Sequence, residues 1–337
     1  MEFEEHKALQ EFNTFSIDCK ARYFVSVSSI SELKKALSSD IHSNNFILGG
    51  GSNMLLTKDI DALVIHINLK GIETFSETDD HIELKVQAGE NWHEFVQYCI
   101  SKDFGGVENL SLIPGNVGTA PIQNIGAYGI ELKDVFVGCT VLRLEDMKEI
   151  IFSKEDCQFA YRNSIFKHEV KGQYIITSVH MRLTKHSHTK SVSYGAIQQK
   201  LAENKVIDPS IQDISEAVIA IRKSKLPDPA TLGNSGSFFK NPIVNSATFH
   251  AFIEEHPKAP YYKISDSEYK IPAGWLIEKS GFKGKRFGNA GVHKNQALVL
   301  VNYGNATGEE IWNLALLIQK KVKELFNINI EPEVNVI

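Results

Sequence analysis

Three stretches of this chain place side chains able to move protons or grip anions among residues that let a bound group come close. Ser237 stands in GNSGSFFKNP (233–242), between Gly236 and two phenylalanines. A serine so placed can be a nucleophile, a proton donor to a carbanion if a neighbour polarises its hydroxyl, or a turn former making a local hydrogen bond. No G-x-S-x-G elbow and no evident His/Asp pair accompany it, which removes support for the nucleophile and leaves the turn reading the simplest. Arg162 lies in the aromatic-rich FAYRNSIFK (159–167). Its guanidinium suits a carboxylate or phosphate, to which it can donate two parallel bonds, and a structural ion pair would look the same. Glu333 of EPEV (331–334) falls in an apolar segment where burial would raise its pKa and make it a possible acid. Glu331 reads as exposed. His293, in AGVHKNQA, reads as a satisfied core histidine.

The glycine-rich loops offer room for a ligand. Gly49, Gly50, Gly51, Ser52 and Asn53 follow the apolar run NFIL (45–48), and glycines there let main-chain N–H groups approach a pyrophosphate. The Rossmann fingerprint fails, because Met54 holds the third glycine position and the next segment reads as strand. A Walker A loop fails as well, since Arg286 follows Gly284-Lys285. LIPGNVGTAPIQNIGAYG (112–129) is longer than the usual connection of roughly 4–6 residues. Its neutral surface and two amide side chains, Gln123 and Asn124, suit a diphosphate and a flavin ring. The twelve histidines show no metal-ligand spacing, so no metal is expected.

The elements that position these residues alternate between periods. Ser29 and Glu32 make an S-x-x-E capping box before Leu33, Ala36 and Leu37. NFIL and ALVIHI (62–67) read as buried strands, and Ile82, Leu84, Val86 and Ala88 as a half-buried one. Trp92, Phe95, Val96, Cys99 and Ile100 trace a helical stripe. TVLRL (140–144) and QYIITSVHMRL (173–183) are strand-like. A helix with Ile214, Ala217, Val218 and Ile221 on one face stops at Pro227 and Pro229. A final helix carries Ile311, Leu314, Ala315, Ile318, Val322 and Leu325, and INIEPEVNVI closes as a strand broken by Pro332. Three lobes are expected: 1–70, 71–205 (to which 328–337 would return) and 206–327.

Bulk properties narrow the class. At 337 residues the chain exceeds a single core. The net charge of −5, with no basic cluster, argues against nucleic acid as a partner. Cys19, Cys99, Cys139 and Cys157 lie far apart, the pattern of reduced structural cysteines. No apolar stretch nears the roughly 20 residues of a membrane span, and the charged N-terminus lacks a signal-peptide core. A cytoplasmic location is expected.

Ten blocks in order resemble one family: NTFSID (13–18), ILGGGSN (47–53), AGENWHEFVQYC (88–99), ENLSLIPGNVGTAPIQNIGAYG (108–129), FAYRNSIFKHE (159–169), KLPDP (225–229), GNSGSFFKNP (233–242), AGWLIE (273–278), GVHKNQALVLVN (291–302) and EPEV (331–334). Together they are similar to the UDP-N-acetylenolpyruvoylglucosamine reductases of the longer type. The resemblance implies an α+β protein: two lobes with the FAD-binding fold of the vanillyl-alcohol-oxidase type, 1–70 and 71–205, and an α+β substrate-binding domain, 206–327. It implies FAD as cofactor, NADPH as co-substrate and a monomer acting on small molecules in peptidoglycan-precursor synthesis. Ser237 falls on the family's proton donor, with Arg162 and Glu333 on the residues that stabilise the carboxylate-bearing intermediate. Tyr194, Lys225, Asn241 and Gln296 fall on substrate-binding positions. FAD contacts would come from Gly49 to Asn53 and from Ile113, Pro114, Gly118, Thr119, Ile122 and Gln123. Thr119-Ala120 replaces the family's Ser-Ser, which removes one hydroxyl from that set. The alternatives are another FAD oxidase or dehydrogenase on the same scaffold, or a flavin- or nucleotide-sugar-binding protein without catalysis.

Overall fold

In the computed structural model, which describes residues 2–337, strand Ile60–Ile67 is buried at nearly every position, as a run of β-branched residues covered on both faces should be. It runs parallel to Lys20–Val27 on one side and Asn45–Leu48 on the other, and Glu4–Ala8 closes the edge of this four-stranded sheet. Helix Ile30–Leu37 lays Leu33 and Ala36 against Val25, Val27, Leu63 and Ile65. Its expected capping box is half formed. Ser29 Oγ accepts the Glu32 N–H at 3.2 Å, but the Glu32 carboxylate accepts from the N–H and hydroxyl of Ser28.

The strict alternation from residue 82 produces strand His81–Gln87, inside an antiparallel five-stranded sheet ordered Glu149–Ser153, Phe136–Arg143, Tyr174–Thr184, His81–Gln87, Ile72–Glu77. Ile82, Leu84 and Val86 bury one face of it in a core shared with Trp92, Phe95, Val96 and Cys99 of helix Trp92–Ser101. Asn91 caps that helix, its Oδ1 accepting from the Glu94 N–H at 3.1 Å.

Contacts divide the chain into two units. One comprises Met1–Lys7, Ala21–Gly51 and Ile60–Lys223 and holds both sheets; the other comprises Ala8–Lys20, Ser52–Asp59 and Ser224–Ile337. This division cuts the chain differently from the three expected lobes: 1–70 and 71–205 fall largely in one unit, while 8–20 and 52–59 join the other. The boundary near 205 falls inside the first unit, because Ile214, Ala217, Val218 and Ile221 of helix Ile211–Lys225 close a small core with Ile197 and Leu201 of helix Gly195–Glu203. The C-terminal segment does not return to 71–205. Asn335–Val336 pairs in parallel with Met54–Leu55, and Ile328, Ile330 and Val334 enter the second unit's core. That pairing is only two residues long, and Pro332, upstream of it, forms a separate bridge with Phe239.

The second unit is organised by helix Gly308–Phe326, which packs Ile311, Leu314, Ala315, Ile318 and Val322 into a core with Val292 and Leu300 of two short strands. Leu325, expected on this face, is 44% exposed because the last turn runs past the core. All four cysteines are buried and unbonded, and burial, aided by Asp59 and Asp18, pushes the Cys19 thiol up to about 12. Among the described residues no helix is long and apolar enough to cross a membrane.

The long helix starts hard against the segment at 56–57: a Cβ on Gly308 would overlap the Leu56 carbonyl oxygen. Helix propensity alone would favour alanine there by ~1 kcal/mol. Gly308→Ala is instead expected to lower Tm by about 4 °C or more. An unchanged or raised melting temperature would contradict this packing.

Candidate functional site

Two glycine-rich loops of the first unit lie main chain against main chain. A Cβ on Gly50 would come within 2.7 Å of Asn116 Oδ1 and 3.0 Å of the Asn116 nitrogen and Gly115 Cα, and one on Gly49 within 2.5 Å of Thr119 Cγ2. A Cβ on Gly118 would collide with Ala88. The 112–129 loop is fixed by bonds at both ends. Trp92 N–H donates to Gly115 O at 2.9 Å, Val117 N–H to Glu90 O at 2.8 Å, and Ser164 Oγ to Ile122 O at 2.6 Å. Leu112, Asn124, Tyr128 and Arg162 all adopt left-handed backbone angles. Non-glycine residues in that region cost on the order of 1 kcal/mol or more each and cluster at functional sites.

This cradle fits FAD. Positions where any side chain would clash are what close approach to a diphosphate requires, and the half-buried Ile113 and Ile122 supply apolar surface beside it. Thr119 keeps its hydroxyl on its own loop, donating to Asn116 O at 2.8 Å, and Ala120 is buried in the core of the larger sheet. Asn124 corrects one expectation. It is buried and fully engaged, donating to Glu131 and Ala160 O and accepting from the Lys133 N–H, so it shapes the loop. Pro114 lies in the same loop.

Arg162 sits in a tight turn closed by reciprocal Ala160–Asn163 bonds, and its Nη2 donates to Gly126 O at 2.7 Å. Its guanidinium lies 5.5 Å from the Tyr161 ring centre. Tyr194, 44% exposed, precedes helix Gly195–Glu203 and meets Tyr128 edge to face at 5.2 Å. Tyr128 and Arg222 escaped the sequence reading. Arg222 Nε donates to Leu112 O at 3.2 Å, while the Leu112 N–H donates to His93 Nδ1 at 3.0 Å. Burial, and then Arg222 and Lys223, lower the His93 pKa, which keeps that ring a neutral acceptor.

In the second unit the extended stretch at 237–239 is held on both sides by isolated bridges. Phe238 N–H donates to Leu298 O and accepts, through its carbonyl, from the Glu333 N–H, both at 2.8 Å. Ser237 and Glu333 are therefore fixed on neighbouring stretches of one main-chain ladder. Ser237 follows an Asx turn: Asn234 Oδ1 accepts from the Gly236 N–H at 2.9 Å, and Gly236 takes the left-handed angle the turn needs. Asn234 was not singled out from sequence, although Asn-x-Gly is the signal for it. Asn53 Nδ2 donates to Glu333 O at 3.2 Å, and Ser52 O accepts from Thr14 Oγ1. Asn241 Oδ1 accepts the Ala273 N–H at 2.9 Å, and Gln296 Oε1 lies 3.2 Å from where a Cβ on Gly274 would stand, so both amides converge on the first turn of helix Ala273–Lys279. Lys225 is exposed at the end of its helix. Glu331 is exposed and paired with Lys240 at 3.4 Å. His293 is buried as expected but is not satisfied: its Nδ1 has no partner among the described residues, and burial lowers its pKa.

Residues 21–148 match the FAD binding domain family, and residues 228–337 match the C-terminal domain of UDP-N-acetylenolpyruvoylglucosamine reductase. In fold the chain resembles the 6-hydroxy-D-nicotine oxidase of Arthrobacter nicotinovorans (TM-score 0.52, 13% identity, 96% of this chain and 85% of that one). It also resembles the UDP-N-acetylenolpyruvylglucosamine reductase of Thermus caldophilus (TM-score 0.68, 23% identity, 99% and 98%). Fold and cradle thus define an FAD-binding flavoprotein of the vanillyl-alcohol-oxidase type with an added α+β domain. Relatives named UDP-N-acetylenolpyruvoylglucosamine reductase are 58% identical in Flavobacterium johnsoniae and 50% in Amoebophilus asiaticus, each over 100% of both chains. The chain belongs to the UDP-N-acetylenolpyruvoylglucosamine reductase family.

Gly50→Ala is expected to weaken FAD retention by on the order of tenfold or more, since the added methyl must push the two loops apart. The ratio of flavin to protein absorbance after dilution and desalting measures it. Wild-type flavin content in the variant would refute the cradle.

Proposed function

We propose that this chain carries out its family's reaction, the NADPH-dependent reduction of UDP-N-acetylglucosamine enolpyruvate to UDP-N-acetylmuramate, in peptidoglycan-precursor synthesis. The observation that carries the reading is end-to-end similarity to relatives of that name. FAD, when bound, supplies the two-electron transfer between NADPH and the vinyl group.

The roles of the side chains follow from where charge must appear. Reduction at the terminal vinyl carbon leaves negative charge on the adjacent carbon and its carboxylate. Arg162 meets that charge with a guanidinium, and Glu333 acts on it in its protonated form. Ser237 then gives its proton to the adjacent carbon, from a hydroxyl whose main chain is clamped between 298–299 and 332–333. Asn241 and Gln296, already gathered at one helix turn, bind the nucleotide-sugar portion with Lys225 and Tyr194. Gly49, Gly50, Gly51, Ser52 and Asn53 hold FAD, with Ile113, Pro114, Gly118, Thr119, Ile122 and Gln123. The protein works in the cytoplasm as a monomer on small molecules, in keeping with a net charge of −5 and no basic cluster.

Ser237→Ala is expected to leave NADPH-driven bleaching of the flavin intact and to cut turnover of the enol ether by roughly 10²–10⁴-fold. Anaerobic stopped-flow absorbance separates the two half-reactions. Equal loss in both would remove Ser237 from the proton-donor role. Oxygen-dependent turnover of an alcohol without NADPH would instead favour an oxidase on the same scaffold.

A further inference from the structure

A single buried amide ties two loops of the first unit together. Asn109 is 1% exposed, and its Nδ2 donates to Tyr128 O at 3.2 Å and to Ser191 O at 2.8 Å. Tyr128 and Gly129 centre a tight hairpin closed by Gly126-Ala127 and Ile130-Glu131, and both have positive φ, 51° and 88°. Ser191 lies between strand Tyr174–Thr184 and helix Gly195–Glu203, shortly before Tyr194. The Tyr128 ring meets the Tyr194 ring at 5.2 Å and 88°, so Asn109, Ser191, Tyr194 and Tyr128 form a closed circuit. Tyr128 and Val192 also pack on the small core that helix Gly195–Glu203 shares with Ile211–Lys225. The other ties on this segment are local or superficial. His188 closes a turn on Thr184 Oγ1 at 2.6 Å, while His188 with Asp103 at 3.2 Å and Lys190 with Asp208 at 2.9 Å involve largely exposed carboxylates. Exposed pairs hold a chain weakly. Asn109 is sequestered from water and spends both amide hydrogens, so its removal strips two main-chain carbonyls of a partner at once. Its Oδ1 is buried with no partner among the described residues. An unpaired buried acceptor is unfavourable, so stability alone does not account for an amide at this position.

We propose that Asn109 is a positioning residue of the substrate site, setting the place of Tyr194 by bonding the Tyr128 turn and the Ser191 carbonyl to one side chain. This rests on the reductase reading above, in which Tyr194 grips the nucleotide sugar, and names the residue through which that tyrosine is placed. Tyr194 is 44% exposed. A ring that exposed is placed by the main chain beneath it and by the ring it rests on, and Asn109 holds both. The Tyr128 turn belongs to the glycine-rich loop 112–129, so the amide carries register from that loop to the substrate tyrosine. Asn109 touches no ligand in this arrangement; it acts through Tyr194. A displacement on the order of 1 Å at a gripping group is enough to weaken the complex it makes.

The test is a double-mutant cycle in the flavin-loaded enzyme: wild type, Asn109→Ala, Tyr194→Ala and the two together. KM and kcat are measured for UDP-N-acetylglucosamine enolpyruvate, alongside flavin content, Tm and the rate of flavin reduction by NADPH. Asn109→Ala should raise KM about 5–50-fold while flavin content and NADPH reduction stay at wild-type values. Asn109→Ser, which keeps one donor, should fall between. Because Asn109 acts through Tyr194, the double variant should show the KM of Tyr194→Ala alone to within about twofold. Additive effects on KM would mean that the amide acts by another route, and the proposal fails. It fails equally if Tm falls while KM holds, which makes Asn109 structural, or if flavin is lost in step with the rise in KM. Should Asn109→Ala not fold, Asn109→Ser takes its place in the cycle. A wild-type enzyme whose NADPH-reduced flavin the enolpyruvyl sugar cannot reoxidise would overturn the reductase reading itself. A wild-type KM in Tyr194→Ala would remove Tyr194 from the substrate site and this proposal with it. An unchanged KM in Asn109→Ala beside a raised one in Tyr194→Ala overturns this proposal alone.

Discussion

The constraint on which the first unit depends is steric: Gly49 and Gly50 lie so close to Gly115, Asn116 and Thr119 that neither has room for a side chain of its own. Everything around them serves that approach. The parallel sheet delivers Gly49 at the end of strand Asn45–Leu48, and the helix Trp92–Ser101 starts with an N–H that holds Gly115 O. Hydrogen bonds from Ser164 and to Asn124 then fix the far half of the long loop. Each is a local bond of about 1 kcal/mol net, yet together they maintain four left-handed residues, Leu112, Asn124, Tyr128 and Arg162.

The second unit solves a different problem by a related means. In the proposed reading the Ser237 hydroxyl delivers a proton to a particular carbon, a task that a mobile loop serves poorly. Residues 237–239 are therefore bonded to 298–299 on one side and 332–333 on the other. Phe238 and Phe239, with no exposed surface to speak of, anchor the same stretch in the core. The turn before it uses Asn234 and Gly236 to bring the chain into register. The C-terminal segment matters here more than its length suggests, because it carries Glu333 into the ladder and then ends against Met54–Leu55.

Much of this was legible in sequence, and the parts that were not share a cause. Periodicity located strand His81–Gln87 and helix Trp92–Ser101, because a half-buried strand and an amphipathic helix each write their own repeat into the chain. Motif spacing likewise marked Ser237, Arg162 and Glu333 as positions where chemistry was possible, without deciding their roles. Periodicity carries no information about which sheet a two-residue strand joins, and so the destination of Asn335–Val336 was misjudged. Nor does it say that Ile214 and Val218 pack on helix Gly195–Glu203, which moved the boundary. Arg222 stayed hidden because an arginine on an amphipathic helix ordinarily marks the solvated face. Only the structure reveals that its Nε turns inward and donates to Leu112 O.

Fold and chemistry are written in different parts of this chain. The FAD-binding match ends at residue 148 and the reductase-specific match begins at 228, while the fold as a whole extends to an oxidase at 13% identity. A neutral glycine cradle asks only for a diphosphate and a flat ring, so it constrains the cofactor and leaves the substrate open. Ser237, Asn241, Gln296 and Glu333 fall in the reductase-specific region, and there a hydroxyl, two amides and a carboxyl replace glycine as the informative residues. Arg162, Tyr194 and Arg222 fall between the two matches, in the segment that neither domain description covers. A guanidinium turn at 162, an exposed tyrosine before a short helix and a cation on helix Ile211–Lys225 are additions to the flavin scaffold that flavin binding does not require. In the proposed reading it is the anionic substrate, and not the flavin, that calls for cationic and phenolic side chains in this segment.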